Sequence, residues 1–181
     1  MTRPSLPRHR EDSWQGSFLL NPARPVRGIS VGGGRVMAGG DALYLLPRGA
    51  QQVTTRELPP DLALVAIAVE PWPPFRYALA GRRVIAVFSP DAPGDPIVEV
   101  SFATPEDDAT HLAWTRHNGQ VMIYFRGRNG RIGRIRIDEE GCEHLEAPPI
   151  AAIASDAAGV MAMISIVDDD ADIWVKKRVL N

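Results

Sequence analysis

The stretch 111–138, HLAWTRHNGQVMIYFRGRNGRIGRIRID, admits few folds. Asn118-Gly119 lies between two apolar runs, and both residues accept the positive φ that a two-residue type I′ hairpin turn requires. Residues 121–125 follow as VMIYF with no polar break, so a strand here is apolar on both faces and must be covered on both. After a second turn at Gly127-Arg128-Asn129-Gly130 the pattern alternates: Ile135 and Ile137 fall on one face, Arg134 and Arg136 on the other. The unit reads as an inner strand, a fully buried middle strand and a half-exposed outer strand.

The same order recurs along the chain. Continuous apolar runs occupy 42–46 (ALYLL), 84–88 (VIAVF), 121–125 (VMIYF) and 160–167 (VMAMISIV), and their first residues are 42, 37 and 39 positions apart. A short strand is expected before each, at 35–38, 76–80, 111–115 and 151–154. The turns between carry Gly39-Gly40, Gly81, Gly119 and Gly159. An outer strand is expected after each, at 52–58, 97–102, 132–137 and 172–179. Sheet modules with a period near 40 residues are what propeller blades show.

Composition agrees with a sheet protein. The 181 residues contain 16 glycines and 16 prolines, which disfavour helix and suit a turn-rich fold, and no convincing amphipathic helix is present. The segment 62–69 (LALVAIAV) is short and bounded by prolines, so it reads as an extra buried strand. The formal net charge of −2 gives no bulk attraction to nucleic acid or anionic membrane. One cysteine, Cys142, excludes an intrachain disulfide and any cysteine-rich zinc site, as expected of a cytoplasmic protein. The amino-terminal residues lack the apolar core of a secretory signal, and no apolar run reaches the roughly 20 residues of a membrane span.

The domain reading is a mostly flexible arm over 1–27, followed by one β-propeller-like domain over 28–181. Its blade-like repeats fall at about 28–58, 61–102, 111–138 and 150–180. Residues 14–20 (WQGSFLL) read either as a strand joining the last blade or as an arm packed on the core.

Candidate functional residues are few. Trp72 and Phe75 sit in an aromatic–proline loop, PWPPF, where they anchor a partner or cap the core beneath; capping is the commoner role. Arg126, Arg128, Arg131, Arg134 and Arg136 form the densest basic cluster. They read as a guard against edge-to-edge sheet pairing, or as a contact for an acidic protein partner. Gly32-Gly33-Gly34 lacks the Lys-Ser/Thr and the helix of a phosphate loop and reads as a turn. The run Asp168-Asp169-Asp170-Ala171-Asp172 lacks the glycine and distal glutamate of an EF-hand, so a solvated hairpin is preferred to a calcium site. His111, His117 and His144 have no metal-ligand spacing, and a pairing of His111 with Asp107 or Asp108 is an open expectation. Cys142 lies among glutamates, which raise a thiol pKa, and no Gly-x-Ser-x-Gly motif occurs. No catalytic residue, cofactor site or metal site is assigned.

The repeats resemble β-propeller blades over residues 28–180. The WD40 pattern is missing, since no Gly-His opens a blade and no Trp-Asp ends a buried strand; a kelch-like double glycine occurs once, at Gly39-Gly40. Residues 43–69, LYLLPRGAQQVTTRELPPDLALVAIAV, are similar in texture to the degenerate propeller subunits of bacterial MoxR ATPase and von Willebrand A systems. The expected fold is all-β, with about four blade-like antiparallel sheets in a small or partial β-propeller. The resemblance carries fold and not function; the leading functional expectation is a non-catalytic scaffold that binds another protein, either one that completes the ring or a further copy in a homo-oligomer. The alternatives are a propeller-type glycan hydrolase or lyase, and a sugar-binding module. An incomplete ring leaves apolar blade faces uncovered and therefore has to associate.

Overall fold

The computed structural model describes residues 26–33, 35–47, 53–58, 61–90, 94–117, 119–139, 141–156, 158, 160–167 and 170–176. The expectations for 14–20 and for most of the arm 1–27 lie outside the described residues. Four antiparallel sheets follow one another along the chain, each a meander of consecutive strands. Sheet 1 is β1 (Val26–Gly32), β2 (Arg35–Gly40), β3 (Ala42–Leu46) and β4 (Thr54–Glu57). Sheet 2 is β5 (Ala66–Val69), β6 (Tyr77–Gly81), β7 (Val84–Phe88) and β8 (Val98–Ser101). Sheet 3 is β9 (Ala109–His117), β10 (Gln120–Gly127), β11 (Ile132–Arg136) and β12 (Cys142–His144). Sheet 4 is β13 (Ile150–Ser155), β14 (Met161–Val167) and β15 (Asp170–Lys176). Among the described residues there is no α-helix, only a 3-10 turn at Pro105–Asp107.

The first strands of the sheets line a common axis. β1 packs on β5, β5 on β9 and β9 on β13. They begin at Val26, Ala66, Ala109 and Ile150, so 40, 43 and 41 residues apart. The period is therefore that of a blade, but the apolar runs used to read it are not equivalent. β3 and β7 are the third strands of their sheets, whereas β10 and β14 are the second. Sheets 1 and 2 carry an axial strand upstream of the one expected to be innermost. In sheet 3 the strand expected as innermost is itself axial, and the fourth strand, β12, lies downstream.

That fourth strand corrects the reading of 132–137 as an outer edge. β12 covers β11, with Gly133 opposite His144, Arg134 opposite Glu143 and Ile135 opposite Cys142. Cys142, Glu143 and His144 are all exposed and have no apolar period, so nothing in the sequence marks them as a strand. Three of the expected turn glycines, Gly39, Gly40 and Gly81, are also strand residues. Gly39 ends in β2, where a Cβ would lie 2.4 Å from Leu64 Cδ2, and Gly81 closes β6, where it would lie 2.0 Å from the Leu62 carbonyl oxygen. Close approach of neighbouring chain, rather than turn geometry, requires glycine at both. Gly119 and Gly130 do sit in turns, with φ of 79° and 80°.

The core lies in the seams between sheets. Met37, Leu43, Val69 and Leu79 fill the seam of sheets 1 and 2. Ala78, Val87, Trp114 and Ile123 fill that of sheets 2 and 3. Met122, Tyr124, Ile150 and Met161 fill that of sheets 3 and 4. β10 is buried on both faces because its alternate residues serve the last two seams. Each large side chain so buried contributes about 1.5–3 kcal/mol relative to exposure.

Candidate interaction surface

At one end of the axis, the connection between β5 and β6 knits three sheets together. It contains a cis peptide bond between Pro73 and Pro74, and Phe75 has a φ of 61°. The Phe75 N–H donates to the Trp72 carbonyl at 2.6 Å. The Phe75 ring lies against Gly33, and the Arg35 guanidinium of sheet 1 stacks on it at 4.7 Å. The Arg116 guanidinium of sheet 3 stacks on Trp72 at 4.9 Å. Arg76 stacks on Trp114 at 5.6 Å, and the Trp114 Nε1–H donates to the Ala68 carbonyl at 3.1 Å. Trp72 and Phe75 are half-buried, so both rings close seams. Sequence reasoning singled out the aromatics but missed Arg35, Arg76 and Arg116, which lie on strands or next to them in three different repeats. The recurrence of an arginine near the first strand–strand connection in three of the four repeats was the available signal. Such stacks contribute about 0.5–2 kcal/mol each, more as they are desolvated.

The arginines of β10 and β11 divide by environment. Arg126 reaches across the seam: its Nε donates to the Ile150 carbonyl, and Nη1 donates to Thr110 Oγ1 at 3.0 Å. Arg134 donates to Glu143 at 2.8 Å, and that carboxylate holds the guanidinium pKa above its usual value, with Tyr124 adding to the effect. Arg136 donates to both carboxylate oxygens of Glu139, at 2.8 and 2.7 Å. Arg128 lies 3.6 Å from the buried Asp108, and its side chain is 58% exposed. The Arg131 side chain is exposed at the same turn.

An axial groove of about 440 Å³ runs between the first strands. Ile29, Ile67, Trp114 and Ile153 contribute to its wall, and among the described residues its one charged lining residue is Asp156. The Asp156 carboxylate already accepts the N–H groups of Ala158 and Val160, at 2.9 Å each. A second hollow of about 490 Å³ lies between sheets 1 and 2, walled by Leu43, Leu79 and Phe88. His111 does not pair with Asp107 or Asp108. Its Nδ1 is 3.1 Å from Thr110 Oγ1, and burial, followed by the Arg126 charge, lowers its pKa. Among the described residues no three His, Cys, Asp or Glu side chains converge to hold a metal ion. Asp168 and Asp169 lie outside the described residues, while Asp170 and Asp172 belong to β15.

Among the described residues, the axial part of sheet 1 and the outward face of sheet 4 are left exposed at the two ends of the sheet series. In sheet 4, Ile164 pairs with Ile173 and Ala162 with Val175, while Ala152 and Ala154 lie beside them on β13. These six side chains share the face turned away from sheet 3. Ile173 is 70% exposed and Val175 50%. At the other end, Ile29 and Val31 of β1 point away from sheet 2 and are 69% and 66% exposed. Farther from the axis the same face of sheet 1 is buried at Ala38, Ala42 and Tyr44. Among the described residues no seam like the other three joins β13 back to β1.

No protein-family model matches the chain, and no curated protein matches it significantly. Nothing in these comparisons supports the likeness to MoxR and von Willebrand A systems. Among solved structures, selenomethionine-substituted virginiamycin B lyase from Staphylococcus aureus is similar, with a TM-score of 0.59 and 18% identity. The match covers 87% of this chain and 57% of that one. At that identity the likeness shows the fold alone. The chain is all-β, with four antiparallel sheets in a β-propeller-like arrangement, and it spans 57% of the length of the structure it matches. Among the described residues no helix is long and apolar enough to cross a membrane.

Proposed function

We propose that the protein is a non-catalytic interaction scaffold of the propeller type, whose partner covers the apolar faces left open by an incomplete ring. The observation that carries this is the outward face of sheet 4. Ile164, Ile173 and Val175 lie together there, partly to mostly exposed, while on the opposite face Ile150, Ile153 and Met161 pack on sheet 3 and Trp174 is itself half exposed. Clustered exposure of this kind marks an interaction surface, because covering apolar area returns about 25 cal/mol per Å².

Of the candidate contact residues, Trp72, Phe75, Arg126, Arg134 and Arg136 are engaged within the chain; Arg128, though it reaches Asp108, and Arg131 are the arginines exposed to a partner. The single cysteine suits a reducing, cytoplasmic setting. The alternative, a propeller-type glycan hydrolase or lyase or a sugar-binding module, calls for acids or an amide-flanked tryptophan platform facing the axis. The axial groove instead offers Asp156, already occupied by its own turn.

Sedimentation velocity of the purified chain tests the proposal. The wild type should associate beyond the 19.8 kDa monomer or precipitate. Ile173→Asp combined with Val175→Asp should yield a soluble monomer. A wild-type protein that stays monomeric and fails to enhance the fluorescence of an apolar dye would overturn it.

A further inference from the structure

We infer that the partner is a second copy of this chain, joined head to tail, so that the open face of sheet 4 in each copy receives β1 of the other. This inference rests on the scaffold reading and names its partner.

A size rule governs the seams. At each one, small residues of the earlier axial strand meet large residues of the later one. Gly28, Ser30 and Gly32 of β1 receive Ile67 and Val69 of β5. A Cβ at Gly28 would lie 3.0 Å from Ile67 Cγ2, and one at Gly32 would lie 2.9 Å from Val69 Cγ1. Ser30 Oγ accepts the Val69 N–H at 2.9 Å. Ala66 and Ala68 of β5 face Leu112 and Trp114 of β9. Ala113 of β9 meets Ile150 and Ile153 of β13. Axial strands crowd one another, so close packing requires a small residue opposite each large one.

Both halves of a fourth seam are present and unused. β13 ends the series with Ala152 and Ala154 on its free face, which is a socket of the small kind. β1 begins the series with Ile29 and Val31 on its free face, which are knobs of the large kind. The part of sheet 1 that remains open is its axial strand, the element that would enter the socket. Within one chain these strands border the same groove without forming a seam. A second copy supplies the missing knob to one end and the missing socket to the other. The two joints are identical, and a head-to-tail contact that closes after two copies makes a ring.

The test uses light scattering on the full chain and on two variants. In one, Ile29→Asp and Val31→Asp remove the knobs; in the other, Ala152→Asp and Ala154→Asp remove the socket. The wild type should be a dimer of about twice 19.8 kDa. Each variant alone should fall to the monomer mass while keeping its circular dichroism spectrum. An equal mixture of the two should recover dimer, because one joint then pairs an intact socket with an intact knob. If the aspartates unfold the chain, Ile29→Ser and Ala154→Leu repeat the experiment with milder changes.

A monomeric wild type overturns the inference, and so does a ladder of species above the dimer. A dimer indifferent to the knob changes but lost on Ile173→Asp overturns it as well. That last result would mean two sheets 4 packed face to face, and it would leave the scaffold reading standing.

Discussion

Arg76 and Glu70 form a bidentate ion pair at the seam of sheets 2 and 3, with Nε to Oε2 and Nη2 to Oε1 both at 2.8 Å. The Arg76 backbone N–H adds a third bond to Oε2 at 3.1 Å. Glu70 is fully buried, so its charge depends on this one residue for compensation. Arg76→Ala strands that carboxylate and also removes the stack on Trp114. The expected loss is about 3–5 kcal/mol, the usual cost of breaking a buried pair from one side. Urea denaturation reads it directly, and a loss below about 1 kcal/mol would place the carboxylate in water instead.

Gly133 lies directly opposite Phe125 in the β10–β11 pair. The Phe125 ring folds across it, so that a Cβ there would sit 2.3 Å from Cζ. The ring is fully buried, and His144 meets its edge at 5.9 Å. Gly133→Ala therefore forces the ring to move and should cost about 1–3 kcal/mol. In a Phe125→Leu background the same substitution should cost much less. Additive effects in that double-mutant cycle would sink the account.

The β content, the four-sheet order and the 40-residue period were legible because they rest on local signals: apolar runs, alternation and turn glycines. Residues 121–125 illustrate this, since a run with no polar break implies two covered faces wherever it sits. The position of each run within its sheet was not legible. β3 and β10 look alike in sequence, yet one is third from the axis and the other second, and strand number depends on pairings between distant segments. β12 was missed because CEH owes its strand geometry to β11 and not to any pattern of its own. At the candidate surface the aromatic loop stood out, but its arginines come from three repeats. Glu70 reads as an ordinary loop acid until the fold buries it.

His111 makes stability depend on pH. The side chain is exposed, yet its partial burial, then the Arg126 guanidinium, places its folded pKa below that of the unfolded chain. The unfolded state then binds more protons in the interval between the two values, so stability rises with pH there. The contribution is complete above the unfolded histidine pKa and is lost as the pH falls through the folded one. Tm should drop as the pH is lowered from neutrality into that interval, and His111→Gln should flatten this part of the curve. A His111 resonance titrating at or above the free-histidine value would contradict the sign.

Cys142 is an exposed residue with a raised thiol pKa, which separates access from ionisation. Burial of part of the group is the first cause and the charge of Asp107 the second, not the neighbouring glutamates. The thiolate is the nucleophile, so at neutral pH the folded protein should react with a disulfide reagent more slowly than an unstructured cysteine peptide does. The deficit should shrink as the pH rises and vanish in urea. Asp107→Asn should speed the reaction modestly, since it removes the second cause and leaves the first. Were steric access limiting instead, the folded rate would stay depressed at alkaline pH, where both thiols are ionised. The pH profile of the reaction therefore decides between a thiol that is hard to reach and one that is hard to ionise, and the geometry of β12 predicts the second.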